Sequence, residues 1–289
     1  MIKLIASDMD GTLLDDKMSI STDNASAIRE AEHQGIEFIV ATGRAYSEAK
    51  PPLEEAGINC AMITLNGAQV FNKQGESILT AGIEKQLAHK TLDILDAHDI
   101  YFEISTNTGV YSQQREKRIE NVASYISTNM PHLTYKMAIA MAAAHLSLLN
   151  INYVEDIHSL ISEEKIEILK IIGFSIHGSK VLRPIGSEIE QSSDLIVTSS
   201  SKNNIEINHK NAQKGIAVSR LAKNMNLTTD EVMTIGDNFN DISMLKWAGV
   251  SFAMDNAELD VKNYAKYQTT TNLDNGVGVA ILRAIQEDL

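Results

Sequence analysis

Four times in this chain an apolar run without alternation stops abruptly in small and polar residues. Ile2 to Ala6 runs into Ser7-Asp8-Met9-Asp10-Gly11-Thr12, and Ile36 to Ala41 into Thr42-Gly43-Arg44. Ala61 to Leu65 runs into Asn66-Gly67-Ala68, and Val232 to Ile235 into Gly236-Asp237-Asn238-Phe239-Asn240-Asp241. Short unbroken apolar runs fit strands buried on both faces, the habit of parallel sheets. Between the first two runs lies a helical segment, Thr22 to Gln34, with Ser21 placed as N-cap and Gly35 as the stop. Strand, helix, strand in that order is a right-handed βαβ unit, which leaves its two strands parallel. Ligands of such sheets bind beyond the carboxyl ends of the strands. All four polar clusters sit at those ends, so they are expected to converge.

The middle of the chain reads differently. After a helical stretch from Gln86 to Ala97, residues Ile100, Phe102 and Ile104 alternate ahead of Asn107-Thr108-Gly109. Alternation before a Gly-containing turn predicts antiparallel strands with one solvated face. A second round follows, with a helix around Val154 to Glu164, a strand from Ile166 to Phe174, and strands at Asp194 to Thr198 and Asn204 to Ile207. Pro184 and Gly186 are expected to break any helix over Lys180 to Gln191. The resulting expectation is an α/β fold with a Rossmann-like parallel-sheet core. Residues 1–82 and 209–289 build that discontinuous core, and an inserted α+β domain occupies 83–208. A length of 289 residues suits two domains.

Charge and cysteine content narrow the partners. With 25 Lys+Arg against 38 Asp+Glu the formal net charge is −13, a field that repels phosphate backbones, so no nucleic-acid partner is expected. The single Cys60 has no internal partner, and no Cys/His cluster has zinc spacing, so it is read as a small buried hydrophobe. Asp8 arrives too early for a secretory signal. The longest apolar stretch, Met137 to Ile151, falls short of the ~20 residues that span a bilayer. A soluble, cytoplasmic protein is expected, without membrane contact, as a monomer or weak homo-oligomer.

The first cluster, Asp8-Met9-Asp10-Gly11-Thr12-Leu13-Leu14, is the most informative, and the whole ordered set resembles one family. Asp8-Met9-Asp10-Gly11-Thr12, then Thr42-Gly43-Arg44, then Lys214-Gly215, then Gly236-Asp237-Asn238-Phe239-Asn240-Asp241-Ile242-Ser243-Met244 is similar to the four motifs of the haloacid dehalogenase superfamily of phosphohydrolases. The likeness is to its Cof-like branch, which carries a large cap inserted after the third core strand. Asn66-Gly67-Ala68 and Asp255-Asn256-Ala257 also match patterns of that branch.

The resemblance implies a Mg²⁺-dependent phosphatase of small phosphorylated metabolites, such as sugar phosphates or phosphorylated cofactors. Asp8, Asp10, Asp237 and Asp241 would crowd four carboxylates around one site with only Lys214 to offset them. Clustered like charges disfavour ionisation unless a cation is present. An all-oxygen donor set selects a hard cation, and a phosphoryl substrate favours Mg²⁺ over a structural Ca²⁺. By the family pattern Asp8, Asp237 and the backbone carbonyl of Asp10 hold the metal. Asp8 is then the nucleophile that forms an aspartyl-phosphate, and Asp10 protonates the leaving alcohol and later activates water. Thr42, the Gly43 amide, Lys214 and Asn240 contact the phosphoryl group, with Thr42-Gly43 leading into a helix. Asp241 orients Lys214 or a metal-bound water.

Several readings stay open on the sequence. Asn66 either supports the site or merely turns the chain, Arg44 either pairs locally or meets substrate, and Asn256 is a candidate lining residue. In the insert, Arg115-Glu116-Lys117-Arg118 reads as a solvated face or a second anion contact, and Tyr101, Phe102 and Tyr111 as sheet packing or a stacking surface. A phosphomutase of the phosphomannomutase type and a catalytically silent phosphometabolite-binding regulator are the alternative functions.

Overall fold

The computed structural model describes residues 1–130, 132–146 and 151–289. The chain folds into two compact units, Met1–Ala81 with Asn211–Leu289, and Gly82–Lys210. The first is built on an eight-stranded sheet. Its strands run Tyr267–Gln268, Val250–Ala253, Val232–Gly236, Leu4–Ser7, Glu37–Ala41, Ala61–Thr64, Gln69–Phe71 and Ser77–Thr80 across the sheet. The first six are mutually parallel, and Gln69–Phe71 and Ser77–Thr80 add an antiparallel edge.

The unbroken apolar runs have the reason expected of them, since helices cover both faces. Ile5, Phe38, Val40, Met233, Ile235 and Phe252 face one way, against Ile28, Leu53 and Ile281 of three helices. Leu4, Ala6, Ile39, Ile63 and Val232 face the other, against Val218, Ala222 and Met244. The helix Thr22–His33 starts where Ser21 Oγ accepts the Asn24 N–H at 3.1 Å, and ends at Gly35, whose φ of +79° suits glycine. Cys60 lies in the first of these cores, and burial pushes its thiol up to about 12.

The second unit has a six-stranded sheet ordered Leu195–Thr198, Asn204–His209, Ile168–Phe174, Tyr101–Thr106, Gly109–Ser112 and Ile151–Tyr153. Phe102, Ile104, Ile171, Ile205 and Ile207 pack one face against Leu92, Ile161 and Ile185 of three helices. The other face differs from expectation. Every residue of Tyr101–Thr106 is buried, Glu103 and Ser105 included. Polar groups pair with one another across it, although Arg118 Nε is buried with no partner among the described residues. Lys170 Nζ lies 3.3 Å from Glu206, Arg118 Nη1 lies 3.1 Å from Glu103, and the Tyr101 hydroxyl donates to Glu103 at 2.8 Å. Arg118 therefore does not belong to a solvated charge run, and Tyr101 is a packing residue with a hydrogen-bonded tip. Of the apolar stretch Met137 to Ile151, the part 147–150 lies outside the described residues. No described helix is long and apolar enough to cross a membrane.

The predicted break at Pro184 and Gly186 is also corrected, because Ser179–Ile189 is one helix. Pro184 is exposed and forfeits only the hydrogen bond its missing N–H would make to the Lys180 carbonyl. Gly186 is buried where a Cβ would stand 3.1 Å from Val197 Cγ1, so glycine lets the helix approach its neighbouring strand. Pro184→Ala should therefore leave the melting temperature unchanged or raise it. Gly186→Val should lower it through overpacking worth about 1–3 kcal/mol. Calorimetry of both variants checks the pair, and a neutral Gly186→Val would show that the close approach is not needed.

Candidate active site

The strand Leu4–Ser7 ends in a wide helical turn over Met9–Leu13, closed by the Leu14 N–H on the Met9 carbonyl at 2.9 Å. Gly11 takes φ of +75° there, and a Cβ on it would meet Asp237 Oδ2 at 2.4 Å. Thr12 Oγ1 donates to Asp237 Oδ1 at 2.8 Å. The first and fourth clusters thus interlock through a glycine that no larger residue replaces.

Lys214 opens the helix Lys214–Asn224 and is fully buried. Its Nζ donates to Asp8 Oδ1 and to Asp241 Oδ1, each at 2.6 Å. Asp241 is also fully buried, and its Oδ2 accepts the N–H groups of Asp237 at 3.0 Å and Asn238 at 2.9 Å. Both oxygens of Asp241 thereby accept from protein donors, Lys214 among them. Two glycines permit this closeness. A Cβ on Gly236 would lie 2.6 Å from Asp241 Cβ, and one on Gly215 would lie 2.3 Å from the Ser243 carbonyl oxygen.

The second and third clusters join the same place. Thr42 is fully buried, and its Oγ1 accepts the Arg44 N–H at 3.1 Å. The helix beyond begins only at Tyr46, so Thr42 and Gly43 precede the helix rather than form its first turn. Leu65, Asn66 and Gly67 all have positive φ. In this strained turn the Asn66 N–H reaches the Thr42 carbonyl at 3.0 Å, and Asn66 Oδ1 accepts from Asn240 Nδ2 at 3.1 Å. A Cβ on Gly67 would lie 2.7 Å from the carbonyl oxygen of Gln213, the residue before Lys214. Asn66-Gly67 is thus a junction between clusters and more than a turn. Asn240 Oδ1 is buried with no partner among the described residues.

Asp10 stands apart from the buried cluster, with its side chain 50% exposed. Arg44 grips it with Nε at 2.8 Å and Nη2 at 2.6 Å, and Arg44 Nη1 reaches the Glu48 carbonyl at 3.3 Å. Arg44 thus pairs locally, as one of its two readings expected. Asn256 faces the same turn from the other side, with Nδ2 donating to the Gly11 carbonyl at 2.8 Å. Sequence reasoning passed over Asn272, whose Nδ2 donates to the Leu14 carbonyl at 2.9 Å; it sits in no motif that would have marked it.

Electrostatically the cluster carries more negative charge than Lys214 offsets. Carboxylate oxygens of Asp8, Asp237 and Asp241 all lie within 4.8 Å of one another. Burial, then repulsion from Asp241, holds the Asp8 carboxyl well above its ordinary range, against the opposing pull of Lys214. Burial and Asp241 likewise push Asp237 up to about 6. Lys214 moves the other way from its burial, because Asp241 and Asp8 outweigh the desolvation and raise it. A hard cation would relieve this excess, and the all-oxygen donor set suits one.

A parallel α/β sheet whose carboxyl edge gathers an aspartate cluster, a buried lysine and small hydroxyl- and amide-bearing turns defines an enzyme of phosphate chemistry. The chain belongs to the haloacid dehalogenase-like hydrolase family, whose sequence profile matches residues 5–281. It is a phosphatase of that family, as similar proteins are. It is 34% identical over 279 residues to the phosphatase YwpJ of Bacillus subtilis strain 168, covering 96% of this chain and 97% of that one. It is 30% identical over 280 residues to the 5-amino-6-(5-phospho-D-ribitylamino)uracil phosphatase YcsE of the same organism, covering 97% and 94%. A solved haloacid dehalogenase-like hydrolase from B. subtilis superposes with a TM-score of 0.86 at 32% identity, over 97% of this chain and 99% of that one.

The charge excess makes a stability prediction. Asp237 rises from 3.8 to about 6 on folding, so between those values the folded state holds a proton that the unfolded state releases. Stability accordingly falls as pH rises through that window. In metal-free protein Asp237→Asn should melt above wild type at neutral pH, and the advantage should fade as pH falls below 6 towards 3.8. Added Mg²⁺ should raise the melting temperature of wild type and leave that of the variant unmoved. A variant that melts below wild type at neutral pH in EDTA would contradict the charge excess.

Proposed function

We propose that this phosphatase hydrolyses small phosphorylated metabolites, depends on Mg²⁺, and works through an aspartyl-phosphate on Asp8. The observation that carries the reading is Asp8 itself, buried at a strand's carboxyl end with its Oδ1 2.6 Å from the Lys214 ammonium. Asp8, Asp237 and the backbone carbonyl of Asp10 would hold Mg²⁺. Bound there, the ion would neutralise carboxylate and phosphoryl charge and let an ionised nucleophile approach a phosphate dianion.

The chain's own groups divide the remaining work. An Asp8 carboxylate oxygen attacks phosphorus while the bond from phosphorus to the ester oxygen breaks, and Asp10 gives its proton to the departing alcohol. Water then attacks the same phosphorus, Asp10 takes its proton, and the bond to Asp8 breaks to release phosphate. Thr42, Gly43, Lys214 and Asn240 bind the phosphoryl oxygens, with the Lys214 ammonium meeting charge as it develops. Asn66 supports Asn240, and Asp241 fixes Lys214. For Asp10 to act, its carboxylate must leave at least one of the two Arg44 hydrogen bonds.

Small metabolites are the substrate class that the relatives support. YcsE is named for a phosphorylated ribityl compound, a small phosphomonoester. The inserted domain, residues 83–208, is the part proposed to sort leaving groups.

Turnover of para-nitrophenyl phosphate and of a panel of phosphorylated metabolites tests the proposal. EDTA should abolish it and Mg²⁺ restore it, with inorganic phosphate and the free alcohol as the products. Full turnover in metal-free buffer would remove the metal from the account. Formation of an isomeric phosphate that depends on a bisphosphate primer would identify a mutase instead.

A further inference from the structure

The turn that carries Asp8 and Asp10 is held from outside by asparagine side chains that lie far away in sequence. Asn272 Nδ2 donates to the Leu14 carbonyl at 2.9 Å, and the Asn272 N–H donates to Asn256 Oδ1 at 3.0 Å. Asn256 Nδ2 in turn donates to the Gly11 carbonyl at 2.8 Å. The four groups form one continuous chain that spans the turn from residue 11 to residue 14. A third asparagine works between those ends, since Asn24 Nδ2 reaches the Leu13 carbonyl at 3.4 Å while its Oδ1 accepts the Gly278 N–H at 2.8 Å. Within the turn, Asp10 and Gly11 depart from helical φ/ψ, so the regular ladder is interrupted there. Side-chain amides take the place of the missing backbone donors. An amide suits the task because it donates at one end and accepts at the other.

We propose that Asn256 and Asn272 are positioning residues for the nucleophile turn, acting as one hydrogen-bonded unit that fixes the Gly11 and Leu14 carbonyls and through them the placement of Asp10. The inference rests on the proposed role of Asp10 and adds residues that lie outside the four motifs. The Gly11 carbonyl belongs to the Gly11–Thr12 peptide, which joins the Asp10–Gly11 peptide at the Gly11 Cα, so a clamp on that carbonyl restricts where Asp10 stands one residue earlier. Thr12 comes next and holds Asp237, so the same clamp reaches the fourth cluster. Asn256→Asp tests it with little change of shape, because a carboxylate keeps the acceptor for the Asn272 N–H but turns an oxygen towards the Gly11 carbonyl.

The test compares wild type, Asn256→Asp and Asn272→Ala on a sugar phosphate and on para-nitrophenyl phosphate. Misplacing a catalytic group by a fraction of its reach costs roughly ten- to a hundredfold in rate. The expected result is a loss of that size in kcat for the sugar phosphate, with KM changed little and a smaller loss for para-nitrophenyl phosphate, whose leaving group needs no proton. The Asn256→Asp loss should shrink in an Asp10→Asn background, because the two act through the same group. Equal losses on both substrates, or losses that multiply independently of Asp10→Asn, would overturn the proposal and leave a general structural role. Amide hydrogen exchange over residues 9–14 supplies a readout free of turnover. It should quicken in both variants, and unchanged exchange would overturn the clamp. If wild type turned over neither substrate, the phosphatase chemistry would fall while the exchange result still decided the clamp. Should Asn256→Asp fail to fold, Asn272→Ala carries the same criteria.

Discussion

The buried ammonium of Lys214 is the interaction on which the site depends. It sits fully enclosed at 2.6 Å from both Asp8 and Asp241, and removing it would leave two buried carboxylates facing each other. Its position fixes three segments at once: the end of the first strand, the start of the helix at 214, and the turn after Val232–Gly236. Asp241 completes the arrangement by accepting two backbone N–H groups with its second oxygen. One positive charge against Asp8, Asp237 and Asp241 is still too little. That imbalance is a cost to the fold, and a bound cation would relieve it.

The sheet explains why such distant residues meet. Parallel strands must all point their carboxyl ends to one edge, so the turns that follow them gather there. Leu4–Ser7 lies between Val232–Gly236 and Glu37–Ala41, so Asp8 falls between Asp237 on one side and Thr42 on the other. Glycine then sets how closely the loops approach. A Cβ on Gly11 or Gly215 would collide with the fourth motif, one on Gly67 with the backbone of Gln213, and one on Gly236 with Asp241 of its own motif. The glycines in the motifs are thus packing requirements of a crowded edge.

Much of this was legible because buried parallel strands have a plain signature. The four unbroken apolar runs named the central strands, and the polar residues that ended them named the cluster. Ser21 and Gly35 bounded a helix by cap chemistry alone. What could not be read depended on pairings between distant surfaces. Alternation at Tyr101–Thr106 implied a wet face, yet Glu103 is buried where the Tyr101 hydroxyl, two residues away on the same strand, and Arg118, on a separate helix, satisfy it. Pro184 looked like a break, but an exposed proline in the middle of a helix that buries Leu182, Ile185 and Ile189 is outweighed by packing. The partner of Arg44 could not be read until the turn placed Asp10 in front of its fork. Asn272 gave no signal, since a lone asparagine in a loop is ordinary until its partners are known.

The central claim is that Asp8 carries the phosphoryl group during turnover. Acid quenching of enzyme mixed with a ³²P-labelled substrate, followed by peptide mapping, addresses it directly. The account predicts label on the peptide containing Asp8, released by hydroxylamine as an acyl phosphate and absent from Asp8→Asn. Turnover of the same substrate with no label on that peptide at any quench time, or label that persists in Asp8→Asn, would contradict it.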